Sequence, residues 1–277
     1  MKLRQVSPEP ASLRRVGQLL QIAYRTPTRE RELAIYTAAQ PDGLFAIFDD
    51  GEPVAAAGAI TYGPFCWIGL VATHPDYSRQ GLATRLTQHL IAWSREHRCT
   101  SVALDSTPDG RPVYERLGFR PLGDTVELIA DTGASAAGPD APAAEVNQNL
   151  DELLDFDRAV FGGDRAALFL ALTANNDSRS YLRHDRERID GYLFTRGGII
   201  GPGAARDADI AADLVSTALK GGAGSVRLIV PSDSAHLHTL TQLGLRERTR
   251  ITHMRLGEPR LPGHRDMLLA QTSYAAG

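Results

Sequence analysis

Two stretches of this chain can be laid over one another without a gap: residues 102–119 (VALDSTPDGRPVYERLGF) and 228–245 (LIVPSDSAHLHTLTQLGL). The overlay brings Leu104 onto Val230 and Leu117-Gly118 onto Leu243-Gly244, and upstream, across a gap, 68–72 corresponds to 200–204. A repeat of this kind restricts the 277 residues to two copies of one plan, each of ordinary domain size. Between the copies, 131–144 (DTGASAAGPDAPAA) contains small residues and prolines but no bulky apolar side chain. Such a segment cannot bury enough surface to order itself and reads as a linker. The expected organisation is a first domain at 1–130, a linker at 131–144, a second domain at 145–259 and a tail at 260–277.

The first copy opens with a short strand at 2–6, followed by a helical pattern in which Leu13, Val16, Leu19, Leu20 and Ala23 share a face. A second helix covers 29–39. Apolar runs at 44–48 and 53–60 flank Asp49-Asp50-Gly51 as a hairpin. A strand at 67–73 leads into a helix at 81–96 with Leu82, Leu86, Leu90 and Trp93 on one side. A strand at 101–105, a short helix ending at Leu117-Gly118-Phe119 and an extended stretch to 130 complete it. The order β-α-α-β-β-β-α-β-α-β predicts an α+β (mixed α/β) fold and excludes a Rossmann unit.

Charge and cysteine usage narrow the function classes. Thirty basic against 33 acidic side chains give a formal charge of −3, without the cation excess that a nucleic-acid groove or an anionic membrane surface attracts. Cys66 and Cys99 stand far apart with no neighbouring His or Cys, which suits a reducing cytoplasm and argues against a disulfide framework or a cysteine-rich zinc site. No apolar run approaches the roughly 18 residues of a membrane span. The expectation is a cytoplasmic monomer or homodimer with no nucleic-acid or membrane partner. His236-Leu237-His238 reads as an ordinary, partly exposed helix face, so no metal is expected.

The chemistry is concentrated in 68–85, IGLVATHPDYSRQGLATR. A buried strand ends near Thr73, a turn carries Arg79, Gln80 and Gly81, and a helix starts at once. Free N–H groups and the positive end of the dipole at a helix N-terminus suit a phosphate or pyrophosphate. Gly81 lets the backbone approach the anion, Ala83 keeps the first turn thin, and Arg79 and Arg85 add charge-assisted contacts. There is no G-x-x-x-x-G-K-[ST], no G-x-G-x-x-G after a strand and no G-x-S-x-G, so P-loop, dinucleotide and nucleophile-elbow chemistries lack their cradles.

Ser78-Arg79-Gln80-Gly81-Leu82-Ala83 resembles the acetyl-CoA signature Q/R-x-x-G-x-G/A of the GCN5-related N-acetyltransferases, with Ser78 in place of the first Gln or Arg. Tyr114-Glu115-Arg116-Leu117-Gly118-Phe119 resembles the family's second hallmark, Y-E-x-x-G-F. The resemblance covers most of 1–130 and extends weakly over the second half, in the manner of members that carry a degenerate second domain. It implies two tandem domains, each a mixed, mostly antiparallel sheet flanked by helices. It also implies that acetyl-CoA binds along Leu70, Val71, Ala72 and Thr73, where the strand splays at a bulge, and over Ser78, Arg79, Gln80, Gly81, Leu82, Ala83, Thr84 and Arg85. An N–H near Val71 and Ala72 would then meet the thioester oxygen, and Tyr114 would serve as general acid for the leaving thiolate.

The base is left unassigned. The strand that carries a Glu in many relatives reads Trp67-Ile68-Gly69-Leu70 here, and Asp105 and His74 are the nearby alternatives. In the second copy the corresponding turn has no Gly and brings Asp207, Asp209 and Asp213 to the helix start, where they suit capping and repel a pyrophosphate. One acetyl-CoA per chain is expected, in the first copy. The expected activity is acetyl transfer to a primary amine, most simply of a small molecule, by direct attack in a ternary complex. An acyl-CoA-binding sensor without turnover and an acetyltransferase of proteins or peptides are the alternatives.

Overall fold

The run Val54-Ala55-Ala56-Ala57-Gly58-Ala59 is buried along its whole length, which requires a central strand with helices on both faces. Small side chains there let the helices approach closely. At Gly58 the approach is closest, since a Cβ would lie 2.6 Å from the ring of Tyr36. The computed structural model describes residues 1–27, 29–132, 150–174, 177–185, 188–221 and 224–277. They form two compact units.

The first unit comprises Met1–Pro121, Met254–Pro259 and Ala276. Its strands β1 (Lys2–Gln5), β2 (Leu44–Asp49), β3 (Glu52–Thr61), β4 (Phe65–Thr73) and β5 (Ser101–Ser106) lie side by side in that order. All neighbours are antiparallel except β4 and β5, which run parallel. Helix α1 (Pro10–Tyr24) starts with Pro at its first position, where no N–H is needed, and buries Leu13, Val16, Leu19 and Leu20. It is followed by α2 (Glu30–Ala39). Helix α3 (Leu82–Glu96) turns Leu82, Leu86, Leu90, Ile91 and Trp93 onto Phe45, Ile47, Ala55, Ala57, Cys66 and Ile68. At about 1.5–3 kcal/mol per buried side chain, this stripe anchors the helix far more firmly than its propensity does. The short α4 (Arg111–Arg116) adds Tyr114 to the same cluster.

The second unit comprises Leu122–His253, Arg260–Ala275 and Gly277. It contains β6 (Arg120–Thr132), α5 (Leu150–Phe161), α6 (Ala166–Thr173), β7 (Ser178–Asp185), β8 (Arg188–Arg196), β9 (Ile199–Ala205), α7 (Ala208–Lys220), β10 (Gly224–Pro231), α8 (Leu237–Gln242), β11 (Arg246–Gly257) and β12 (Leu268–Ala270). The repeat is visible in the backbone: Gly118 after α4 and Gly244 after α8 have φ of 91° and 88°, as the overlay of the two Leu-Gly pairs requires. The mixed α/β class expected from the pattern holds in both units.

Boundaries by chain order, at 130 and 145, differ from the boundaries of the compact units. After Pro121, β6 enters the second unit and pairs antiparallel with β10, Val126 opposite Val230 and Leu128 opposite Leu228. In return, the end of β11 enters the first unit, where Met254 packs with Val102 and Leu104. Gly257, at φ 93°, lies so close to β5 that a Cβ would meet the Thr100 carbonyl oxygen at 2.4 Å. The two strands follow corresponding helices of the repeat, so each can complete either sheet. Of the linker, 131 and 132 are the end of β6, and the rest falls outside the described residues. The expected tail carries β12 and is largely buried over 268–277.

Candidate active site

The register of β3 and β4 shifts between Ala56 and Gly58: Gly58 faces Gly69, Ala56 faces Ala72, and Leu70 and Val71 together stand opposite Ala57. This is a β-bulge, and Leu70 adopts φ 56° within it. Beyond it, His74 N–H donates to the Val54 carbonyl at 2.8 Å. Because hydrogen-bonding direction alternates along a strand, Ala72 then also faces β3, whereas Val71 and Thr73 turn their N–H and C=O groups away from it. On that side β5 pairs with β4 only from Phe65 to Trp67 among the described residues. The two parallel strands therefore splay, and the gap exposes the polar edge of Val71 and Thr73. The sequence reading put a donor near Val71 and Ala72; the alternation assigns the open edge to Val71.

At the end of the strand the chain turns through a short 3-10 helix, Pro75–Tyr77. Tyr77 Oη donates to the Asp49 carboxylate at 3.1 Å and ties this turn to β2. Arg79 and Gly81 both have left-handed backbones, φ 61° and 76°, with Gln80 between them. This alternation of handedness is how a loop gathers N–H groups into an anion nest. Gly81 caps α3 without any side-chain hydrogen bond. The amides of Leu82, Ala83 and Thr84 precede the first helical bond, from Arg85 N–H to the Gly81 carbonyl at 3.0 Å. A Cβ at Gly81 would meet nothing within 4 Å, so the space beside this residue is open. Leu82 anchors the turn in the core; Ser78, Arg79, Gln80 and Arg85 are exposed, and Ala83 and Thr84 half-buried. Neither Arg79 nor Arg85 forms an ion pair among the described residues. The splayed edge and the uncapped helix start both present free backbone polar groups, which could hold an extended amide-bearing arm and a phosphate group.

Tyr114, 7% exposed, packs edge-on against Phe119 with ring centroids 5.9 Å apart. Burial pushes its phenol up to about 12, so the hydroxyl keeps its proton at any working pH. The candidate bases part company. His74 serves its own turn, with Nδ1 accepting the Asp76 N–H at 3.3 Å. Asp105 stays on β5 beyond its last pairing with β4. Sequence reasoning missed Tyr24, whose hydroxyl donates to the Val71 carbonyl at 2.9 Å across 47 positions of chain.

Comparison with known proteins identifies the family. Residues 13–119 match the model of the Acetyltransferase (GNAT) family, and 153–270 match a second, described as Acetyltransferase (GNAT) domain. The chain belongs to the GNAT family. It is 28% identical over 201 residues to the uncharacterized N-acetyltransferase YitH of Bacillus subtilis (strain 168), covering 70% of this chain and 71% of that one. An acetyltransferase crystal structure from Pyrococcus horikoshii superposes with a TM-score of 0.84 at 22% identity, over 100% of this chain and 95% of the other. A tandem GNAT protein from the clavulanic acid biosynthesis pathway gives 0.62 at 13%, over 92% and 98%. At these identities the two structures speak for the fold. The chain is a tandem GNAT acyltransferase.

The second GNAT unit has the same ingredients and a different outcome. Its β8–β9 register also shifts, between Leu193 and Thr195, and β9 pairs in parallel with β10 only at Ile199 and Ile200 among the described residues. Here, however, the gap is filled by the chain itself. β12 pairs antiparallel with β9, Leu268 opposite Ala204 and Ala270 opposite Gly203, and Gln271 N–H donates to the Ile229 carbonyl of β10 at 2.7 Å. Gly201 is part of this fit, since a Cβ there would lie 2.1 Å from the Gln271 carbonyl oxygen. Ser234 Oγ donates to the Leu268 carbonyl at 2.6 Å and Arg196 to the Thr272 carbonyl at 3.2 Å. At the start of α7, Asp207 accepts the Ile210 N–H at 2.9 Å, the capping role expected of it. His236, expected on a partly exposed face, is 2% exposed because its Nε2 lies 2.9 Å from the Ala205 carbonyl oxygen, whereas His238 is exposed.

Proposed function

We propose that the first GNAT unit transfers an acetyl group from acetyl-CoA to a primary amine of a small acceptor, by direct attack in a ternary complex. The observation that carries this reading is the open Val71–Thr73 edge together with the uncapped amides of α3. The acetyl-CoA thioester supplies an activated acyl group. Thr73 holds the pantetheine arm as a neighbouring strand would, leaving the Val71 N–H for the acyl end, and the amides from Gly81 to Thr84, with Arg79 and Arg85, hold the pyrophosphate. Val71 N–H, fixed on the open edge, meets the negative charge that grows on the thioester oxygen. Tyr114 donates a hydrogen bond to the leaving sulfur. With its phenol near 12 and a thiol near about 8.5, complete proton transfer to the thiolate runs uphill, so the hydroxyl stabilises the leaving group mainly by sharing its proton.

That role sets the size of the effect. Tyr114→Phe is expected to lower kcat by about tenfold to a hundredfold, the lower end of what proton-donating groups contribute, with acetyl-CoA affinity within about twofold of the wild type. Free-thiol release and calorimetric titration measure the two quantities. An unchanged kcat removes Tyr114 from the mechanism. Because its shift is upward, ionisation of Tyr114 depresses the rate only toward pH 12, and an alkaline limb near pH 10 must come from another group. Binding without thiol release for any amine or peptide would favour a sensor. Release with peptides alone would favour a protein acetyltransferase.

A further inference from the structure

We propose that Tyr24 orients the acceptor amine, taking one of its N–H groups on the phenol oxygen beside Val71; this rests on the transfer reading above. Tyr24 is the last residue of α1, and the chain reverses directly after it, with Arg25 at φ 52° and its N–H returned to the Gln21 carbonyl. The Tyr24 hydroxyl donates to the Val71 carbonyl at 2.9 Å. That carbonyl belongs to the open edge of β4, on the residue whose N–H is aimed at the thioester oxygen. A phenol has a single proton. With that proton committed to Val71, the oxygen can offer only lone pairs to a third partner, and the partner must bring an N–H or O–H. A primary amine about to attack has two N–H groups besides the lone pair that forms the new bond, so accepting one of them aligns the lone pair with the acyl carbon.

The surroundings keep Tyr24 in this role. Burial, then nearby Tyr114 and Glu32, raise its pKa, while Arg29 lowers it less than burial raises it. The phenol therefore stays neutral and orients the amine rather than deprotonating it. Arg29 lies over the Tyr24 ring, 5.4 Å from its centroid, and pairs with Glu32 at 2.5 Å, so the two charges next to the phenol cancel. A second phenol, Tyr36, is 2% exposed, and its hydroxyl has no hydrogen-bond partner among the described residues. It rests on Gly58, the residue paired with Gly69 immediately before the bulge. A buried, unpartnered hydroxyl calls for a water or a polar ligand group. Tyr114, from the α3 side of the sheet, keeps its proton available for the sulfur; Tyr24 has used its own.

The test is Tyr24→Phe, assayed by thiol release with the best acceptor from a panel of ethylamine, glucosamine, spermidine and leucinamide. The KM for the amine is expected to rise about fivefold to tenfold, the loss of one neutral hydrogen bond, while the KM for acetyl-CoA stays within about twofold. A residue that merely staples α1 to β4 would instead move both KM values together and lower Tm. An unchanged amine KM, or a parallel rise in both, overturns the role of Tyr24 and leaves the transfer reading intact. If the wild-type protein binds acetyl-CoA yet acetylates none of the amines, the transfer reading fails, and this role fails with it.

Discussion

Gly81→Asp is expected to cost the protein at least about a hundredfold in acetyl-CoA affinity while lowering its Tm by no more than about 4 °C. The second unit has a carboxylate at the corresponding helix start, Asp207, but it caps α7 from an extended backbone, φ −147°, whereas Gly81 is left-handed. A Cβ at Gly81 meets no protein atom within 4 Å, so the first atom of a side chain enters without a clash. The left-handed φ of 76° costs Asp about 1 kcal/mol, a few degrees of Tm at most. The loss in binding is larger. A unit charge about 4 Å from a phosphate repels it by about 4 kcal/mol at an effective dielectric constant of about 20, and the carboxylate also takes an amide the pyrophosphate needs. Titration calorimetry paired with thermal melting checks both halves. Retained affinity would move the pyrophosphate away from α3.

The second large effect concerns stability. Asp157 and Arg165 are both about 1% exposed in the second unit. Arg165 Nε donates to the Asp157 carboxylate at 3.0 Å, its Nη2 makes a second, shorter contact there, and Tyr192 Oη donates to the same carboxylate at 2.5 Å. The guanidinium is stacked 3.9 Å from the centre of the Phe161 ring. Asp157→Ala leaves this cation buried without a counter-charge, which costs about 3–5 kcal/mol and lowers the Tm of the second unit's transition by about 10 °C. Replacing both partners, as Asp157→Leu with Arg165→Met, is expected to recover most of the loss, because an apolar pair avoids the desolvation of two charges. If the double variant melts as low as Asp157→Ala, the cost lies in packing and not in the orphaned charge.

The sequence made the local features legible and left the long-range ones hidden. The strand, turn and helix of 68–96 follow from apolar periodicity and one glycine, and Gly81 and Gly118 have the backbone conformations their motifs imply. The repeat overlay matched Gly118 to Gly244 correctly because both depend on the same helix-ending turn. Three things depend on partners far away in the chain. The exchange of β6 and β11 was hidden because both strands follow the same helix and Leu-Gly turn of the repeat, and nothing local says which sheet each completes. Leu268-Leu269-Ala270 reads as a tail because a three-residue strand carries no period, and only the unpaired edges of β9 and β10 give it a place. Tyr24 reads as the end of an amphipathic helix, and nothing local announces its bond to Val71. His74 and His236 looked available as side chains and are committed to neighbouring backbone groups.

A crystal structure of the full chain grown with acetyl-CoA tests the central claim most directly. One cofactor per chain is expected, its pyrophosphate on the amides of Leu82 to Thr84 and its arm along Val71 and Thr73, with β12 still seated between β9 and β10. Cofactor between β9 and β10 with β12 displaced, or an arm that does not follow the open edge of β4, would contradict it.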